Sequence, residues 1–137
     1  MYLLDTNIVS ALRRPEKVAS RLVAWAADTP AAELYVSSMT VYEIEVGIRR
    51  LARHDAAQAR VLRGWFERGV LGHFRERTLA IDTAVALKCA ELQVPDPAPE
   101  RDCFIAATAL VHRLTLVTRN VRDYARTGAE VFNPWEG

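Results

Sequence analysis

Short apolar runs rich in β-forming residues alternate along this 137-residue chain with longer segments of helical periodicity. The runs that we predict to be strands lie at 2–4, 34–37, 77–82, 114–118 and 130–133. Strands that alternate with helices in this way predict a parallel sheet covered by helices on both faces. The length suits one domain, and half of the residues are hydrophobic, so we expect a single α/β domain over 1–137 with a substantial core.

Apolar residues at helical spacing mark the segments between these strands. A short helix is predicted from Ile8 to Leu12, and Pro15 suits the first turn of a second helix that runs to about Ala27. Further helices are predicted at about 38–53, 55–71, 83–92 and 101–114. The Pro-rich stretch VPDPAPE between the last two is interpreted as a loop that is too short to separate domains.

The composition excludes several classes of protein. A net charge of +1 argues against a protein that holds nucleic acid by bulk charge, although it leaves room for a local basic groove. Cys89 and Cys103 have no metal-ligand or disulfide spacing, so we expect reduced thiols and a cytoplasmic location. The stretch MYLLD is interpreted as a strand and not as a signal peptide, and the longest apolar run, 104–111, is too short to span a bilayer.

Four acidic residues occupy similar places relative to the predicted strands. Asp5 ends the first strand, Glu43 lies early in the helix after the second, Asp102 begins the apolar helix before the fourth, and Asp123 follows the fourth. Open parallel sheets bind ligands beyond the carboxyl ends of their strands. We therefore expect these four side chains to converge at one rim of the sheet.

Each acid also has a simple structural explanation. Asp5 could N-cap the helix that follows it, and Asp102 could cap the helix from Cys103 onward. Thr40 and Glu43 match the T-x-x-E capping box. Asp123 could be an ordinary loop residue, and Asp82, which also stands between a strand and a helix, is interpreted as a plain cap.

The joint pattern favours a metal site. Carboxylates gathered at one rim would repel one another and raise each other's pKa values, and a divalent cation relieves that repulsion. Ligands that are all oxygen suit Mg²⁺ or Mn²⁺. Gly47, one turn after Glu43, leaves space above that carboxylate. The three histidines form no HExxH pair, and the chain has no Walker loop, GxGxxG turn or GxSxG elbow.

Five motifs in this order carry a resemblance to a known family: LLDTN, SSMTVYEIEVGI, RDCFIAATAL, LVTRNVRDY and VFNPW. The chain resembles a PIN domain of the VapC/FitB type from residue 1 to residue 135. The resemblance implies a three-layer α/β/α sandwich around a parallel sheet of about five strands. It also implies an endoribonuclease that depends on Mg²⁺ or Mn²⁺, usually the toxin of a type II toxin–antitoxin pair.

The resemblance also assigns residues. Its catalytic acids correspond to Asp5, Glu43 and Asp102. Asp5 and Asp102 are the first candidates for direct metal ligands, and Glu43 and Asp123 are further candidates. The fourth acid is assigned to Asp123, with Asn120 as the alternative partner for metal or water. Hydroxyls that support these ligands correspond to Thr6 and Thr118. The sequence has Tyr124 where the related motif has Phe, which is interpreted as a mild change.

The expected chemistry is attack of an activated water on an RNA phosphodiester, without need of the ribose 2′-hydroxyl. Arg119 and Arg122, and the group formed by Arg13, Arg14 and Lys17, are candidates to guide the phosphate backbone. The resemblance further implies a homodimer and a DNA-binding antitoxin partner. The alternatives are a regulatory PIN module with little nuclease activity, and a metal-dependent DNase or phosphatase.

Overall fold

A computed structural model describes residues 1–136 of the chain, and this part contains five strands and six α-helices. The strands are β1 (Tyr2–Leu4), β2 (Leu34–Ser37), β3 (Thr78–Leu79), β4 (Thr115–Val117) and β5 (Val131–Phe132). The α-helices are α1 (Thr6–Leu12), α2 (Ser20–Asp28), α3 (Ser38–Ala52), α4 (Ala56–Trp65), α5 (Thr83–Leu92) and α6 (Glu100–His112).

The strands form one parallel sheet in the order β3-β2-β1-β4-β5. The first strand of the chain is therefore the central strand of the sheet, and Tyr2 is paired with Leu34 on one side and Thr115 on the other. The predicted parallel sheet of about five strands is confirmed. Because all strands run in the same direction, their carboxyl ends share one rim, which lies beside Asp5.

Alternate residues of the central strands supply the cores on the two faces of the sheet. Leu3 and Leu116 pack with Ile105 of α6, whereas Leu4 and Val117 pack with the helices of the other face, including Ile8 of α1. Successive side chains of a strand point to opposite faces, so these short, fully apolar strands require cover on both sides. The predicted α/β/α layering follows from this alternation.

Three predicted element boundaries were wrong. Pro15 begins a short 3₁₀ turn, Pro15–Lys17, and α2 starts afresh at Ser20, because Val18 and Ala19 between them are extended. The helix predicted over 55–71 changes hydrogen-bonding pattern, since the α-helix ends at Trp65 and a π-helical segment, Phe66–Gly72, follows it. The third strand retains only two of its six predicted residues.

Helix α4 is held against α3 by an ion pair. Both guanidinium nitrogens of Arg63 donate to the carboxylate of Glu45, with 2.8 Å between Nη2 and Oε2. Arg49 donates to the same carboxylate from the next turn of α3. The Arg63 guanidinium lowers the pKa of Glu45 to about 2. This pair supports the helix that carries Glu43.

Glu45→Gln is expected to lower the free energy of unfolding at neutral pH by about 1 kcal/mol or less, since the pair is partly exposed. The folded pKa of Glu45 lies below its ordinary value, so its stabilisation is complete above about pH 4.5 and is lost as the pH falls toward 2. Urea unfolding of both proteins from pH 7 to pH 2.5 should show the difference shrinking below pH 4.5. A constant difference, or an equal effect of Glu76→Gln at an exposed glutamate, would contradict this role.

Within residues 1–136, no helix has the length and apolarity that crossing a membrane requires.

Candidate active site

Asp5 lies at the centre of the candidate site, directly after β1. Its side chain is 6% exposed and N-caps α1, with Oδ1 accepting a hydrogen bond from the Thr6 amide at 2.8 Å. Its Oδ2 accepts from the Thr118 hydroxyl at 2.7 Å and from the Tyr124 hydroxyl at 3.1 Å. A carboxylate offers about four acceptor positions, so one position on Oδ1 is left for a further partner. The capping explanation is therefore right, but it accounts for only one of three contacts.

Thr118 fixes the orientation of the Asp5 carboxylate. Its side chain is fully buried, and its hydroxyl gives its only proton to Asp5. The same oxygen accepts from the Asn7 side-chain amide at 3.2 Å and from the Asn120 backbone amide at 3.0 Å. These contacts use the whole hydrogen-bonding capacity of a hydroxyl, so Thr118 holds a single rotamer. The Thr118 hydroxyl, predicted to support the acidic ligands, therefore contacts Asp5.

Tyr124 contacts both Asp5 and Asp102. It ends a 3₁₀ turn, Val121–Tyr124, and its side chain is 1% exposed. Its hydroxyl lies 3.4 Å from Asp102 Oδ1, in addition to its contact with Asp5. The explanation of Asp102 as a helix cap was wrong, because α6 begins at Glu100 with Pro99 at the N-cap and without a side-chain cap.

Glu43 joins the network through Thr6. The Thr6 hydroxyl donates to Glu43 Oε1 at 2.8 Å and lies 3.0 Å from the Thr40 hydroxyl, which must then act as the donor to Thr6. The alternative explanation of Thr40 and Glu43 as a capping box was wrong. Ser37 caps α3 by accepting from the Met39 amide, one turn before Thr40, so the Glu43 carboxylate is free to face another segment.

Arg101 is a basic neighbour of these acids that the sequence analysis did not single out. Its Nη1 lies 3.9 Å from Glu43 Oε2, and its guanidinium carbon is 5.1 Å from the centre of the Tyr42 ring. Arg101 directly precedes Asp102 in the sequence, and this position could have identified it as a neighbour of the acids. Through these contacts it lies at the edge of the acidic group.

Asp123 lines an open cleft of about 420 Å³ together with Arg119, Asn120 and Arg122. Asp123 is exposed, as are the two arginines. The guanidinium of Arg119 lies 5.0 Å from the centre of the Trp135 ring. A second cleft, of about 370 Å³, is lined by Thr6, Glu43 and Gly47, and a Cβ on Gly47 would meet no atom within 4 Å.

Burial and neighbouring charges disfavour ionisation of two carboxylates of this site, Asp102 and Asp5. Burial raises the pKa of Asp102, and the nearby charges of Asp5, Asp123 and Glu43 raise it further. Burial also raises the pKa of Asp5, against the lowering effect of the hydrogen bonds from Thr118, Thr6 and Tyr124. Asp123 adds to the rise at Asp5, which places all four predicted acids in one electrostatic group.

The donor set fits a hard cation that retains much of its water. In the described part of the chain, no three Asp, Glu, His or Cys side chains already converge closely enough to hold a metal ion. Mg²⁺ usually binds proteins through one or two carboxylates and keeps several water ligands. Asp5 and Asp102 meet that requirement, since they share one hydroxyl partner and Asp5 keeps an acceptor position on Oδ1.

Comparison with known proteins agrees with this fold. Residues 2–130 match the family model described as PIN domain. The toxin FitB of Neisseria gonorrhoeae is 34% identical over 98% of this chain and 99% of its own. The VapC ribonuclease Y4jK of Sinorhizobium fredii is 30% identical over 99% of both.

Solved structures give the same result. The crystal structure of FitAcB from Neisseria gonorrhoeae superposes with a TM-score of 0.90 at 33% identity and covers 100% of both chains. The structure of FitAB bound to an IR36 DNA fragment gives 0.87 at 33% identity, covering 98% of this chain and 96% of that one. The family match and these relatives extend over nearly the whole sequence, and the chain therefore belongs to the PIN-domain family.

Proposed function

We propose that this chain is a metal-dependent endoribonuclease that acts as the toxin of a two-protein toxin–antitoxin system. The observation that carries the proposal is the meeting of Asp5 and Asp102, which are 97 positions apart, at one buried tyrosine hydroxyl beside the carboxyl ends of the strands. The names of two relatives, a toxin and a VapC ribonuclease, support the same activity.

Asp5 and Asp102 would hold Mg²⁺ or Mn²⁺, and Glu43 and Asp123 would complete the negative charge around it. When bound, the ion would supply an activated water and would neutralise charge that develops on the phosphate. Burial and neighbouring carboxylates raise the pKa values of Asp5 and Asp102 without a cation, which supports a need for positive charge at this position. Asn120 exposes its side chain in the cleft beside Asp123 and remains the alternative partner for water.

Neighbouring groups of the chain would fix the orientation of the Asp5 and Glu43 carboxylates for the reaction. Thr118 and the Thr6 amide fix the plane of the Asp5 carboxylate, and the Thr6 hydroxyl fixes Glu43 through Oε1. Glu43 Oε2 has no such contact with Thr6 and would accept a proton from the attacking water. The water oxygen forms a bond to phosphorus, and the bond from phosphorus to the leaving oxygen breaks. That oxygen takes up a proton from solvent, and Glu43 returns its proton to solvent.

Single-stranded RNA would approach along the two clefts that flank the acids. Arg119 and Arg122 line the cleft beside Asp123, and Arg13 lines the cleft beside Glu43. Arginine forms forked hydrogen bonds to phosphate, and its guanidinium also stacks on aromatic rings, as Arg119 does on Trp135. These contacts would hold the RNA backbone across the acids without reading its sequence.

An antitoxin that binds DNA would be the protein partner, and the chain would form a homodimer. The support is that FitAB, whose solved structure this chain resembles, is bound to a DNA fragment. A net charge of +1 leaves this chain poorly suited to bind DNA alone, so the partner would supply that contact.

A panel of substrates tests the proposed activity. The purified chain with 5 mM Mg²⁺ or Mn²⁺ should cut single-stranded RNA, tRNA or an rRNA hairpin, and EDTA should abolish the cleavage. These RNA substrates should be cut in preference to matched single-stranded and duplex DNA. Denaturing gels with end-labelled substrates would reveal the cut sites.

The panel also separates the alternatives. Cleavage of DNA in preference to RNA would establish a DNase, and release of inorganic phosphate alone would establish a phosphatase. No cleavage of any substrate, together with tight binding to the antitoxin and its DNA, would favour the regulatory module. The intact set of four acids is the observation that favours the enzyme over that module.

A further inference from the structure

The hydroxyl of Tyr124 links two of the acids of the site. It lies 3.1 Å from Asp5 Oδ2 and 3.4 Å from Asp102 Oδ1, and a tyrosine hydroxyl has a single proton to share between them. We propose that Tyr124 is a positioning residue whose hydroxyl holds Asp5 and Asp102 in the arrangement that takes up the divalent cation. The inference rests on the proposed metal-dependent function and assigns a role within the same site.

The position of this hydroxyl is fixed from several directions. The Tyr124 ring is 1% exposed and packs in the core that contains Leu3 and Ile105. Its backbone carbonyl accepts hydrogen bonds from both the amide and the hydroxyl of Thr127, at 3.1 and 2.7 Å. Close packing and these hydrogen bonds restrict movement of the ring, so the hydroxyl keeps its position relative to the two carboxylates.

Asp102 depends on Tyr124 more than Asp5 does. Asp5 keeps two other donors, Thr6 and Thr118, if the tyrosine hydroxyl is removed. For the Asp102 side chain, Tyr124 is the sole hydrogen-bond partner found in residues 1–136. Loss of the hydroxyl would therefore release Asp102, which could then rotate away from the repulsion of its neighbours.

The hydroxyl is not needed to fill the core. A phenylalanine ring would occupy the same volume against Leu3 and Ile105, and a buried hydroxyl is tolerated only where it finds partners. Its partners here are the two carboxylates alone, among the side chains that the structure describes. Groups that orient metal ligands commonly change metal affinity by about 10- to 100-fold when they are removed.

Tyr124→Phe tests the proposal, with Tyr2→Phe as the matched control. Tyr2 belongs to the core on the opposite face of the sheet from Tyr124, where its ring packs edge-on against Trp25. Mn²⁺ binding to wild type and both variants is measured by isothermal titration calorimetry at 20 °C, and circular dichroism checks that each is folded. The Kd for Mn²⁺ should rise about tenfold or more in Tyr124→Phe and should not change in Tyr2→Phe.

A change in Kd of less than fivefold in Tyr124→Phe, or tighter binding, would overturn the proposal. A tyrosine that serves only the fold would lower the melting temperature of the metal-free protein and leave the Kd unchanged, so that outcome counts against it as well. Failure of wild type and Tyr2→Phe to bind Mn²⁺ would have a different meaning, since it would overturn the proposed metal-dependent function itself.

Discussion

Asp102→Asn is expected to reduce RNA cleavage on the order of 10³-fold or more, because it removes a proposed metal ligand and its charge. The chain should remain folded, since Asn keeps the volume of Asp and its amide oxygen still accepts from Tyr124. The free energy of unfolding of the metal-free protein should rise, because Asp102 is destabilised there by burial and by three neighbouring carboxylates. Gel-based cleavage rates and urea unfolding without metal give the two measurements.

Glu100→Gln is the matched control for this variant. Glu100 lies in the same first turn of α6 and carries the same charge, but its side chain is exposed. Its substitution should leave the cleavage rate within about twofold of wild type, since its charge is screened by solvent. Full activity of Asp102→Asn in preparations cleared of contaminating nuclease would remove Asp102 from the catalytic group.

Thr118→Val is expected to damage both stability and activity. Valine has a similar shape but leaves Asp5 Oδ2, the Asn7 amide and the Asn120 amide without their common partner. Loss of these three hydrogen bonds should lower the free energy of unfolding by about 2–4 kcal/mol, although Asp5 Oδ2 still accepts from Tyr124. Cleavage should fall about 10- to 100-fold, because Asp5 loses the contact that fixes its orientation.

Thr108→Val provides the comparison. Thr108 is equally buried, but its hydroxyl donates only to the Phe104 carbonyl one turn earlier in α6. The Phe104 carbonyl lies within α6 and also takes part in the hydrogen bonding of the helix backbone. The variant should therefore lower the free energy of unfolding by less than about 1 kcal/mol and should leave cleavage unchanged. Equal effects of the two substitutions in thermal melts and cleavage assays would show that Thr118 acts only as a packed side chain.

The layered fold could be predicted because its signals are local. A few consecutive residues are enough to recognise the apolar strands that begin at Tyr2 and Leu34 and the apolar helix that contains Ile105. Asp82 was correctly predicted as a plain cap, and it accepts from the Val85 amide at 3.0 Å. The change to π-helical bonding after Trp65 carries no comparable local signal, since the apolar spacing continues across it.

The site was less predictable because its contacts join distant segments. The T-x-x-E pattern predicted that Glu43 would bond to its own helix, but the carboxylate accepts from Thr6, 37 residues away. Tyr124 appeared to be a mild change in a family motif, and only the fold reveals that its hydroxyl lies between Asp5 and Asp102. The acids and the supporting hydroxyls of Thr6 and Thr118 could be proposed from the sequence, whereas the contacts of Tyr124 and Arg101 required the three-dimensional arrangement.

The central place of β1 has a consequence for how the protein is made on the ribosome. Asp5 is synthesised before its partners, since its amide bonds to Val117 and its carboxylate bonds to Thr118 and Tyr124, which follow it by 113 and 119 positions. A nascent chain that stops before β4 lacks every one of these partners. The acidic group of Asp5 and Asp102 therefore assembles only after β4 and the 3₁₀ turn that carries Tyr124 have been synthesised.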